Sequence, residues 1–120
     1  MRYMLTIIGP EDEMNDVPPE EAQAQMKRWF DYTEELRSSG AFVAGEGLTP
    51  AASATTVRIG GDGERTTTDG PFAETKEQVG GFYLVEAESL DEALEWAKKI
   101  PARSGGIEVR PVMVFDEPGS

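Results

Sequence analysis

Histidine and cysteine are both absent from the 120 residues. Without cysteine there is no disulfide, no thiolate nucleophile, no iron–sulfur cluster and no cysteine zinc site. Without histidine the chain lacks the commonest metal ligand and the commonest general base near neutral pH, and with it every Ser–His or Cys–His pair. Any acid–base chemistry falls to carboxylates of raised pKa. Positive charge is scarce as well. Eleven Lys and Arg stand against 23 Asp and Glu, a net charge of −12. That balance argues against binding nucleic acid, because a phosphate backbone requires clustered Lys and Arg. No apolar run approaches the roughly 20 residues of a membrane span. The opening MRYMLTIIG is too short for the apolar region of a signal peptide. A cytoplasmic protein with no membrane contact is the expectation.

The length fits a single domain over residues 1–120. The acidic excess is spread along the chain: residues 1–60 carry 10 acidic and 5 basic groups, residues 61–120 carry 13 and 6. Such a spread reads as a solvated, self-repelling surface.

Periodicity orders the elements. Arg2 to Ile8 alternates as a strand with apolar residues on both faces. A helix follows from about Pro18 to Ser39, with Glu20 and Glu21 at its positive end and Gly40 where a left-handed cap would fall. Its expected apolar stripe is Ala22, Met26, Trp29, Phe30, Thr33 and Leu36. Phe42 to Gly47 is a short strand. Thr55–Ile59 and Glu64–Thr68 flank Gly60-Gly61-Asp62-Gly63, a hairpin signal. Val79 to Ala87 is the next strand, in which Gly80-Gly81 marks a bulge or a close approach of another backbone. Ser89-Leu90-Asp91-Glu92 is a capping box that opens a second helix, and Pro101 stops it. The last strand is expected from Ile107 to Phe115, with a short flexible tail at 116–120. This order is α+β: a ferredoxin-like βαββαβ unit with an inserted β-hairpin. Two helices cover only one face of such a sheet, so a second copy of the chain is expected on the other, making a homodimer with a cleft between the sheets.

The densest polar segment is Asp69-Gly70-Pro71-Phe72-Ala73-Glu74-Thr75-Lys76-Glu77. Gly-Pro sets a turn, with Phe72 anchoring the loop to the body. If Glu74 to Gln78 is a helical turn, Glu74 and Glu77 share a face and, with Asp69, form a carboxylate cluster for acid–base work or for a hard cation. The alternative is turn chemistry with solvated acids. Glu46 sits between two glycines that permit close approach. Glu108 and Arg110 share a strand face, either lining a cleft or forming an ion pair. Tyr83 is either a core aromatic or a phenol offered to the cleft. The expected catalytic set is Asp69, Glu74 and Glu77; the expected ligand-binding set is Glu46, Phe72, Lys76, Tyr83 and Arg110. No metal and no cofactor is assigned.

The nine-residue run Asp69–Glu77 resembles the signature of the DGPF-type branch of the YCII-related family. The opening MRYMLTIIG, Gly45-Glu46-Gly47-Leu48, Gly80-Gly81-Phe82-Tyr83 and Ile107-Glu108-Val109-Arg110-Pro111 support the resemblance in order along nearly the whole chain. It implies a small bacterial protein of the dimeric α+β barrel type. It further implies an enzyme-like or small-molecule-binding homodimer of unknown reaction. In other branches a His–Asp pair suggested catalysis, and that pair has no counterpart here. The alternative is a non-catalytic interaction or regulatory module, because genes of this branch often neighbour those of extracytoplasmic-function sigma factors. The residue before Pro19, often Ser in such relatives, is Pro18; Asp16 is the expected substitute cap.

Overall fold

The computed structural model describes residues 1–14 and 16–115; the expected tail at 116–120 lies outside them. Strand β1 is Arg2–Pro10, helix α1 Pro19–Ser38, β2 Phe42–Gly47, β3 Thr55–Ile59, β4 Arg65–Asp69, β5 Glu77–Glu86, α2 Leu90–Lys99 and β6 Gly106–Pro111. Four strands form one antiparallel sheet in the order β2-β5-β1-β6, and β3 pairs with β4 as a separate ribbon. With the ribbon set aside, the sheet has the strand order of the ferredoxin-like fold, as the element pattern predicted.

Strand alternation divides the sheet cleanly. Tyr3↔Val85, Leu5↔Tyr83 and Leu5↔Val109 are register partners on the helix side, where α1 and α2 cover them. The core comprises these with Tyr32, Leu36, Ala93, Ala97 and Ile100, and Leu5, Leu36 and Val85 are fully buried. Tyr32 is its hub. Its ring meets Tyr83 and Trp96 edge-on at 5.2 and 6.3 Å, and its hydroxyl donates to the Trp96 carbonyl at 2.8 Å. Burial, then the neighbouring Tyr83 and Glu35, holds its phenol well above the ordinary tyrosine range. The unfolded chain ionises this phenol near pH 10, whereas the folded chain keeps it neutral. Its contribution is therefore complete below about pH 10 and falls as pH rises above that value. Chemical denaturation of Tyr32→Phe should show about 1 kcal/mol lower stability at neutral pH, from the lost hydrogen bond. The loss above pH 10 should also be shallower than in the parent.

Helix α1 departs from the expected stripe. Gln25, Tyr32 and Leu36 are its buried residues, whereas Met26 and Phe30 face outward. A polar residue takes a core position because both ends of its amide are satisfied: Gln25 donates to the Pro101 carbonyl and accepts from Arg28. No side chain caps α1 at Pro18, so Asp16 does not supply the substitute cap. Gly40 adopts φ +84° as expected. At α2 the capping box closes, Glu92 N–H donating to Ser89 Oγ and Glu88 N–H to the Glu92 carboxylate.

The last strand ends at Pro111, four residues earlier than expected, and Met113, Val114 and Phe115 extend beyond it exposed. On the side of the sheet away from the helices, Met4, Ile8, Val79, Phe82 and Leu84 form an apolar stripe across β1 and β5. Among the described residues no helix lies over it. A compact monomer of this mass exposes about 6,400 Å², but this chain exposes 8733 Å². Its radius of gyration is 17.0 Å, against about 14 Å for a compact domain of this length.

Candidate functional site

Among the described residues a cavity of about 410 Å³ opens between α1 and the β2–β5 edge of the sheet. That volume falls in the range of small-molecule sites. Its helix wall carries Trp29, Thr33 and Arg37, which the helical repeat stacks one turn apart on a single face. Ile7, Phe42 and Tyr83 add apolar and aromatic surface. A neighbouring hollow of about 180 Å³ shares Ile7, Trp29 and Gly80 with it.

Its floor is made largely of glycine. Gly45, Gly47, Gly80 and Gly81 all line it, for two different reasons. At Gly45 and Gly81 packing forbids a side chain: a Cβ would stand 2.7 Å from the Tyr83 ring at the first and 2.6 Å from the Glu46 carbonyl at the second. Gly80 is skipped in the β1–β5 register, between Ile7↔Gly81 and Ile8↔Val79, as the unpaired residue of a bulge. The glycine pair thus marks a bulge and a close backbone approach at once, the two meanings open from sequence. At Gly47, in contrast, φ is not positive and nothing lies within 4 Å of a Cβ position; at Gly80 the nearest atom is 4.0 Å away. Neither backbone strain nor packing demands glycine at these two positions, and the room they leave belongs to the cavity.

The polar groups are few and convergent. Tyr83 and Thr33 hydroxyls are 2.6 Å apart, and Thr33 Oγ1 lies 2.9 Å from the Trp29 carbonyl. A carbonyl only accepts, so the Thr33 proton goes to Trp29 and the Tyr83 proton to Thr33. The Tyr83 oxygen keeps its lone pairs. Arg37 stands over the Phe42 ring, 4.8 Å from its centroid. Among the described residues no carboxylate pairs with it. Glu46 also lines the cavity, but its register with Phe82 assigns both side chains to the sheet's other face.

The residues expected from sequence therefore separate. Glu46 and Tyr83 border the cavity; Asp69, Phe72, Glu74, Lys76, Glu77 and Arg110 do not. Asp69 ends β4, Glu77 opens β5, and Glu74 and Lys76 lie in the exposed loop between them. No helical turn forms over 74–78. Glu74 and Glu77 are thus not aligned by helical spacing. Among the described residues no three acidic side chains are grouped to hold a metal ion. Phe72 is 74% exposed and does not anchor the loop to the body. Its ring lies beneath the Arg58 guanidinium of the ribbon at 4.9 Å, and its carbonyl accepts from Arg58 at 2.8 Å. The loop is held instead by Gln78, whose amide donates to Ala73 and Thr75, and by Thr75, whose hydroxyl donates to the Glu77 carbonyl. Arg110 and Glu108 form an exposed ion pair at 2.6 Å. Sequence reasoning missed Thr33, Arg37 and Phe42 as cavity residues. The only available signal was the helical spacing of Trp29, Thr33 and Arg37.

A family model for the YCII-related domain matches residues 1–116. Among curated proteins, uncharacterized protein R00369 of Rhizobium meliloti (strain 1021) is 47% identical over 75 residues, which cover 60% of this chain and 59% of that one. The match thus spans about three fifths of the relative's length.

Proposed function

The chain belongs to the YCII-related family, and from that premise we propose that it is a small-molecule-binding homodimer whose site is the cavity between α1 and the β2–β5 edge. The observation that carries the reading is the pair Gly47 and Gly80, where a side chain would meet no steric bar. Glycine in a strand costs about 0.5–1 kcal/mol relative to alanine, and here the vacated space is lined by aromatic rings, two hydroxyls and an arginine. A fragment screen by thermal shift tests it. Bound fragments should raise Tm, and Gly47→Leu should abolish those shifts while leaving the unliganded protein at least as stable. Hits that survive Gly47→Leu contradict this location.

The dimer rests on the apolar stripe of the open sheet face and on the excess of exposed surface. In it a second sheet packs about 10 Å away, face to face. An acid–base part for Asp69, Glu74 and Glu77 then requires the exposed loop of one copy to reach the cavity of the other. A cytoplasmic location fits the chain's composition.

One observation favours a second reading. The loop at Asp69–Glu77 presents Phe72 and its acids to solvent, as a docking surface for a basic partner would. On this reading the protein is a regulatory module, of the kind expected in an extracytoplasmic-function sigma factor circuit. Reversing Asp69, Glu74 and Glu77 to lysine should then abolish salt-sensitive capture of that partner. Undiminished capture refutes the reading.

A further inference from the structure

The cavity's chemistry narrows what it holds. Among the described residues that line it, Arg37 is the one cationic side chain. Arg37 has no carboxylate partner among the described residues, as is also true of Arg28, Arg58, Arg65 and Lys76, but of these five it alone borders the cavity. The guanidinium is instead held over the Phe42 ring at the cavity wall, which leaves its N–H edges available. A guanidinium presents two parallel donors that match a carboxylate. One helical turn away, the Thr33–Tyr83 hydroxyl pair offers the Tyr83 oxygen as an acceptor. Between these polar points Gly47 and Gly80 leave open sheet backbone on one side, and Trp29, Phe42 and Tyr83 supply rings on the others. Open backbone and aromatic walls suit a planar ring system, and a volume of about 410 Å³ admits one or two fused rings.

Building on the cavity reading, we propose that the ligand is a planar aromatic carboxylic acid, its carboxylate on Arg37 and its ring over the glycine floor. The acid would be drawn to this cavity despite the protein's negative charge, because Arg37 is unopposed at the site while the acidic excess is spread elsewhere. A hydroxyl on the far side of the ring would donate to Tyr83.

The probes are 2-naphthoate and its neutral isostere 2-naphthamide, titrated into the full chain and followed by calorimetry. The acid should bind at least tenfold more tightly than the amide. Arg37→Gln should erase that preference, and Gly47→Leu should abolish binding of both. Equal affinity for acid and amide, both lost in Gly47→Leu, overturns the acid class and leaves the cavity standing as a site. An acid preference that survives Arg37→Gln also overturns the assignment. Binding of both that is indifferent to Gly47→Leu, or no binding of either at millimolar concentration, overturns the acid class together with the cavity reading.

Discussion

Replacing Leu84 by glutamate should turn the protein from a dimer into a folded monomer. In sedimentation equilibrium the parent should weigh twice 13.1 kDa and the variant 13.1 kDa. Leu84 lies opposite Met4 and Ala44 on the sheet face that no helix covers, and it is only half-buried in the single chain. The introduced carboxylate is therefore hydrated in the monomer. In the dimer it would lie between two sheets, where an uncompensated charge costs about 3–5 kcal/mol. Each copy contributes one, and every 1.4 kcal/mol is about tenfold in affinity. A dissociation constant at least 10³ times larger follows, with an unchanged far-ultraviolet spectrum. A Leu84→Glu variant that stays dimeric would move the interface elsewhere. The exposed ribbon and the Met113–Phe115 run are the other surfaces available.

Gly105→Ala should be the most destabilising glycine-to-alanine substitution among the described residues. Gly105 has φ +86°, and a Cβ there would lie 2.1 Å from the Ile8 carbonyl oxygen and 2.7 Å from Gly9 Cα. Both atoms are backbone and cannot swing aside. The left-handed conformation costs an L-residue about 1–2 kcal/mol, and overpacking adds about 1–3 kcal/mol. Since β6 pairs with β1 from Gly106 onward, relief would have to come from parting those strands. A loss of about 3 kcal/mol should lower Tm by roughly 10–15 °C in a domain of this size. Gly106→Ala is the control: its φ is not positive and nothing lies within 4 Å of the added atom, so its Tm should hold or rise slightly. Equal losses at the two positions would contradict this account of Gly105.

The elements whose signals are local were legible. Gly40 closes α1, Ser89 and Glu92 cap α2, and strand periodicity yields the ferredoxin-like order with its inserted ribbon, because each depends on residues within a few positions of one another. The Gly80-Gly81 pair was legible for the same reason. The cavity was not. It is made from Ile7, three turns of α1, β2 and β5, which the sequence separates widely, and partly from side chains that are missing. A glycine that leaves a void looks in sequence like one required by a turn. The stripe of α1 was legible at Ala22, Trp29, Thr33 and Leu36, which are buried or half-buried, but not at Met26 and Phe30, which face outward while Gln25 is buried by two hydrogen bonds formed only in the fold. The acidic loop is the densest polar segment of the sequence. Yet its geometry rests on Thr75 and Gln78, whose hydrogen bonds close the turn, while its carboxylates stay in water.

The most direct test of the binding cavity is a ¹H–¹⁵N correlation spectrum of the labelled protein, titrated with a fragment that raises Tm. The backbone amides of Gly45, Gly47, Gly80 and Gly81 should shift together and saturably, accompanied by Thr33. Shifts confined to Asp69–Gln78, with the four glycine amides unmoved, would contradict the account and place the site on the acidic loop.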